Sequence, residues 1–168
     1  MTQQEYENKI KELQGELEKL KAAKIEAEQP KRWKPKSNQG YWAVGCNVTY
    51  GGKVLEFVWS NDDFDKWCYL IGNCFKTKEE AEEYKKQIEY TARYKNYIEE
   101  HSEPLDWHNE YQQKYTSFFD FDKNKIVIGD YFVSKFQGVI YASSEQIIWN
   151  AIKEIGEDNF KKYVLGVK

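Results

Sequence analysis

The chain has 168 residues, room for one ordinary domain or for a smaller domain with an appended element, and too few for two full domains. Its 25 Lys and Arg against 28 Asp and Glu leave a net charge of -3, which excludes a basic wrapper of nucleic acid and an acidic polyanion mimic, so any electrostatic role is local. Charged residues at 32% suit a soluble protein, while 17% aromatics supply apolar surface that a disordered chain lacks.

The start, Met1-Thr2-Gln3-Gln4-Glu5, shows no basic and apolar leader, and no segment approaches the apolar length of a membrane span, so a cytoplasmic protein without membrane association is expected. Cys46, Cys68 and Cys74 are odd in number and not closely paired, which fits buried reduced thiols better than a disulfide framework. From the amino end, Tyr6, Ile10, Leu13, Leu17 and Leu20 alternate steps of four and three, the seam of a left-handed coiled coil that weakens at Lys24 and Ala27. Gln29-Pro30 stops this helix. In a parallel dimer Glu16 and Lys21 flank the seam and pair across chains, so residues 1–28 are expected to form a homodimer rather than fold back.

Residues 29–40 read as a basic linker holding two of the three prolines. The α+β domain follows over residues 41–168, an antiparallel-sheet domain of two strand-hairpin-plus-helix units, about 41–103 and 104–168. Gly51-Gly52 suggests a tight hairpin turn, which sets Val48 opposite Leu55, Cys46 opposite Phe57 and Val44 opposite Trp59 on an apolar face. Asn47 then faces Glu56 and Thr49 faces Val54. Thr77 and Glu80 have the spacing of a capping box, and a long helix is expected to follow with an inner stripe of Ala81, Tyr84, Ile88, Thr91, Lys95 and Ile98. Strands are expected at Tyr115 to Phe121, Lys125 to Phe132 and near Gly138 to Ala142. A second capped helix starts at Ser143-Ser144-Glu145-Gln146 and is closed by Gly156, before a short helix through Phe160, Tyr163 and Val164. Thr77 and Glu80 are echoed by Ser143 and Gln146, a weak internal repeat.

Candidate chemistry is sparse, and no catalytic residue, cofactor or metal site is assigned. Asp120-Phe121-Asp122-Lys123-Asn124 starts like a calcium loop, but Lys125 and Tyr131 stand where glycine and glutamate are needed, so a polar hairpin turn is expected. His101 and His108 lack zinc spacing, and His108 with Asp106 has no nucleophile signature beside it. Asp62, Asp63 and Asp65 lie beside Trp59, Phe64 and Trp67, a common loop composition without a second distant carboxylate. Lys31 to Lys36 carries net +4 in six residues. There Arg32, Lys34 and Lys36 flank Trp33, a pattern that can grip phosphates while the indole stacks on a base; the bland alternative is a solvated linker. Trp42, Trp59, Trp67, Trp107 and Trp149 are expected mostly in the core, with Tyr90, Arg93, Tyr94 and Tyr97 left on the outer face of the long helix for a partner.

Trp33-x-Pro35 with Tyr41-Trp42, Trp59-x-Asn61-Asp62, Gly72-Asn73-x-Phe75-x-Thr77-x-Glu79-Glu80-Ala81, and Ser144-Glu145 with Ala151-Ile152-x-x-Ile155-Gly156-Glu157 and Leu165-Gly166-Val167 form a recognisable set. Over residues 33–168 the chain resembles small accessory proteins of phages, prophages and other mobile elements of Gram-positive bacteria. That group brings no established activity, so no functional residue is transferred from it. The resemblance implies a mobile-element gene, many of which encode inhibitors of host defence, anti-CRISPR proteins among them. The leading expectation is a non-enzymatic inhibitor that self-associates and binds a host protein, a defence nuclease or its nucleic-acid complex. The alternatives are a nucleic-acid-binding accessory protein using the basic linker, and a sponge that sequesters a nucleotide.

Overall fold

The computed structural model describes residues 3–28, 32–45 and 51–167, with side chains of the first helix described at 3, 4 and 7–20. The side chains of Tyr6, Lys24 and Ala27, together with Lys31 and residues 46–50, lie outside this description, and with them the expected pairings of Cys46, Asn47, Val48 and Thr49. The chain is α+β, and it divides into two units, residues 1–34 and 35–168. The first unit is helix α1, Gln3–Glu28. Its seam residues Ile10, Leu13, Leu17 and Leu20 stand between 44% and 69% exposed.

In the second unit, β1 (Gly40–Val44) pairs antiparallel with β2 (Val54–Val58). The register differs from the one expected. Val44 lies opposite Val54 rather than Trp59, and Phe57 lies opposite Tyr41 rather than Cys46, a shift of five residues. An odd shift exchanges the two faces of a strand. Burial is the physical reason: Tyr41 and Ala43, both fully buried, share a face with Phe57 and Leu55. Gly51 and Gly52 do take positive φ, 51° and 72°, and past the strand pairing Gly45 N–H donates to the Lys53 carbonyl.

The other edge of β1 is also paired. Trp42 and Phe75 exchange two backbone hydrogen bonds, and the Asn73 amide bonds both the N–H and the carbonyl of Val44, standing in for a strand. Two elements precede and follow this bridge: α2 (Asp63–Leu70), which no sequence expectation covered, and α3 (Lys78–His101). Thr77 caps α3 through Glu80 N–H as the spacing predicts, while the Glu80 carboxylate reaches back to Lys76 N–H.

The second half repeats the plan. β3 (Lys114–Asp120) pairs with β4 (Lys125–Tyr131), and Tyr115 exchanges two backbone hydrogen bonds with Ala142, to which the expected third strand is reduced. Helix α4 (Glu145–Ile155) starts three residues later, capped by Ser144 through Ile147 N–H. The expected cap pair of Ser143 and Gln146 is thus displaced by one residue, and the Ser143 hydroxyl instead accepts Glu103 N–H. Phe75-x-Thr77 and Ala142-x-Ser144 therefore play the same part, a bridge residue two positions before a helix cap. Gly156, at φ 88°, closes α4 and turns the chain into α5 (Glu157–Asn159) and a single π-turn over Phe160–Val164.

α3 serves both halves, packing on β1 and β2 and on α4 and the π-turn. Its buried positions are Ala81, Tyr94 and Ile98, whereas the expected inner residues Ile88 and Lys95 are exposed. At 3.6 residues per turn, Ala81 and Tyr94 point about 140° apart around the helix. A single stripe was the wrong expectation because the helix is sandwiched, burying one side early and another late.

Candidate functional site

The acids Asp62, Asp63 and Asp65 build the start of α2. Asp62 caps it, accepting Asp65 N–H at 2.8 Å and the Ser60 hydroxyl at 2.8 Å, and these bonds hold its carboxyl below the usual carboxylate range. Asp63 reaches Lys66 at 3.3 Å on the surface. Asp65 is buried, and its two oxygens accept from the Tyr41 hydroxyl (2.7 Å), Ser60 N–H (2.6 Å) and Asn61 N–H (2.8 Å), while the Ser60 hydroxyl, whose one proton it shares with Asp62, lies 3.1 Å away. Asn61 takes φ 63°, the left-handed turn that brings its N–H and that of Ser60 onto one oxygen. Burial, and then the bond to Asp65, pushes the Tyr41 phenol well above its ordinary range. A buried carboxylate so fully occupied is an anchor, and removing it strands several donors.

Opposite the buried Asp65 and Cys68, α2 exposes Trp67 and Leu70 beside the surface pair of Asp63 and Lys66. Phe64, Trp67 and Leu70 recur every third residue, with Ile71 just beyond, and Trp67 and Leu70 are 43% and 79% exposed. The rings of Phe57, Phe64 and Trp67 run in sequence at centroid separations of 5.1 and 6.5 Å. Trp67 and Trp149 are thus exposed rather than core, Trp42 and Trp107 are half-buried, and Trp59 is buried. The sequence signal for this site was present in Asp62 as a cap followed by apolar residues at helical spacing.

The expected partner face on α3 does not assemble as a surface. Tyr94 is buried against Phe160 with its hydroxyl 3.2 Å from Ser117, Tyr90 stacks on Tyr163 at 5.0 Å, and Tyr97 stacks on His101 at 4.0 Å. Arg93 alone of the four is exposed, lying over the Tyr90 ring. The reason is the late inner side of α3, which turns these tyrosines toward α4 and the π-turn. Arg32, Lys34 and Lys36 are exposed and Trp33 is half-buried.

His101 bonds the Tyr97 carbonyl with Nδ1, and His108 lies exposed in a turn held by Asp106. Asp120 accepts Lys123 N–H and pairs with its ammonium at 3.2 Å, bonds that hold its carboxyl low and make residues 121–124 a polar turn between β3 and β4. Cys68 and Cys74 are buried. Among the described residues no cluster of His, Cys, Asp and Glu has the arrangement to hold a metal ion, and no helix is long and apolar enough to cross a membrane.

On the far side of α3, Glu83 gathers charge. It lies 2.7 Å from Lys162 and 3.1 Å from Lys86 and accepts the Tyr163 hydroxyl at 3.2 Å, contacts that pull its carboxyl from 4.5 to about 2 and raise both lysines. This knot pins the π-turn to α3. Comparison of the chain with protein-family models, with curated proteins and with solved structures finds no match.

Proposed function

We propose that the protein acts by binding, as a non-enzymatic mobile-element inhibitor of a host defence factor, with a nuclease or its nucleic-acid complex as the target class. The observation that carries the binding reading is the α2 stripe. Phe64, Trp67, Leu70 and Ile71 offer aromatic and aliphatic surface on a helix whose orientation Asp65 fixes from beneath, and such rigid exposed anchors gain free energy when a partner covers them. The defence context comes from the resemblance over residues 33–168, and the host cytoplasm as the place of action belongs to the same reading. Self-association through α1 is supported by the exposure of Ile10, Leu13, Leu17 and Leu20 at coiled-coil spacing.

The test is plaque formation on Gram-positive strains that differ only in carrying one nuclease-based defence system. Expression of the chain is expected to restore plaquing against its target system, and Leu70→Asp is expected to abolish the rescue. Equal rescue by both, or none across the panel by the unaltered chain, contradicts the reading. The local charge of Arg32, Lys34 and Lys36 favours nucleic-acid binding as a second reading, which calls for steep loss of affinity with salt.

A further inference from the structure

An open groove of about 940 Å³ lies between the first turns of α3 and the segment from Asp158 to Val167. Its floor is apolar, set by Val167 and by the rings of Phe75 and Tyr84, whose centroids are 5.0 Å apart. Four carboxylates and two ammoniums line it, and the pairing among them decides its character. Lys162 is taken by Glu83 at 2.7 Å and Lys161 by Glu157 at 2.6 Å. Glu80 is occupied by Lys76 N–H at 2.9 Å. Glu79 and Asp158, both exposed at the groove, have neither hydrogen bond nor ion pair from their side chains among the described residues.

The uncompensated charge of the groove is therefore negative, above an aromatic and aliphatic floor. We infer that the groove takes a basic segment of the partner protein, with an apolar side chain seated on Phe75, Tyr84 and Val167 and an Arg or Lys directed to Glu79 and Asp158. This rests on the binding reading and names the chemistry of the partner. An open site near the upper end of the usual size of small-molecule pockets suits a length of chain better than a compact ligand, which needs most of its surface enclosed. The two free carboxylates repel phosphates, so the groove does not fit a nucleotide sponge. Basic side chains are what a nuclease uses to hold nucleic acid, so an inhibitor with this groove meets complementary charge there.

The test is fluorescence anisotropy of the full chain with a fluorescein-labelled peptide in which Arg alternates with Leu, beside the same peptide with Glu for Arg. The Arg peptide is expected to bind and the Glu peptide to bind about tenfold more weakly or worse. Glu79→Lys with Asp158→Lys is expected to weaken the Arg peptide by about tenfold, and the milder Glu79→Gln with Asp158→Asn by about threefold. Glu99→Lys with Glu154→Lys makes the same net charge change elsewhere on the exposed surface and is expected to leave binding unchanged. Equal affinity for both peptides, or equal weakening by the two lysine pairs, overturns the groove. Plaque rescue that survives Leu70→Asp while the Arg peptide binds overturns the α2 stripe and leaves the groove standing, so the two fail separately.

Discussion

At the centre of the first half stand Asp65 and Asn73, buried carboxylate and amide that bond Tyr41, Ser60, Asn61 and the backbone of Val44. At the centre of the second half stand Ile148, Ile152, Ile155 and Ala151 of α4, packed with Ile126, Ile98, Tyr94 and Phe160. Both halves carry the same order of hairpin, bridge and capped helix. The difference teaches that one plan can be held by two kinds of force. A hydrogen-bonded centre is directional and fixes the orientation of what it touches, here the rigid start of α2; an aliphatic centre is tolerant and supplies burial. The exposed aromatic and aliphatic residues of α2 sit on the half where direction matters.

The largest expected effect breaks the polar centre. Asp65→Ala leaves the Tyr41 hydroxyl and two backbone N–H groups without their acceptor and is expected to cost about 4 kcal/mol in urea denaturation. Amide hydrogen exchange is expected to rise at Ser60, Asn61 and Trp42 more than at Ile148 to Ile155. Ile152→Ala, which removes a buried side chain from the aliphatic centre, is expected to cost about 3 kcal/mol with the exchange pattern reversed. If the two variants loosen the same amides equally, the halves are one cooperative centre and the comparison fails.

The smallest effect concerns the Glu83 knot that pins the π-turn to α3. Because its carboxyl titrates near 2 in the folded chain and near 4.5 when released, its stabilisation is fully present above about 4.5 and is lost as pH falls toward 2. Glu83→Gln is expected to lower Tm slightly at neutral pH, and the gap from the unaltered chain is expected to close between pH 4.5 and 2. A gap constant across that window contradicts the assignment.

Much of this fold is legible in the sequence because its signals are local. Thr77 and Gly156 mark helix ends by side-chain and backbone chemistry that acts within one turn, Asp122 to Asn124 mark the β3–β4 turn, and the cap of α4 falls at Ser144, one residue past the expected Ser143. The β1–β2 register is not legible, because Gly51-Gly52 permits a turn without requiring it and the parity of β1 is decided by the burial of Tyr41 and Ala43. Nor is the inner face of α3, since Tyr94 is turned inward only by partners, α4 and the π-turn, that lie far along the chain. The candidate site is half-legible: Asp62, Asp65 and Trp67 stand together in the sequence as acids beside aromatics, and the helix that separates buried Asp65 from exposed Trp67 follows only from reading Asp62 as a cap.

The most direct measurement is affinity capture from nuclease-treated host extract with the tagged chain and its Leu70→Asp variant, compared by quantitative mass spectrometry. Leu70 is exposed at the end of α2, so the substitution is expected to leave the fold intact, which circular dichroism checks. The account predicts a defence component retained by the unaltered chain and lost by the variant. Identical capture by both, or no defence component retained by the unaltered chain, contradicts it.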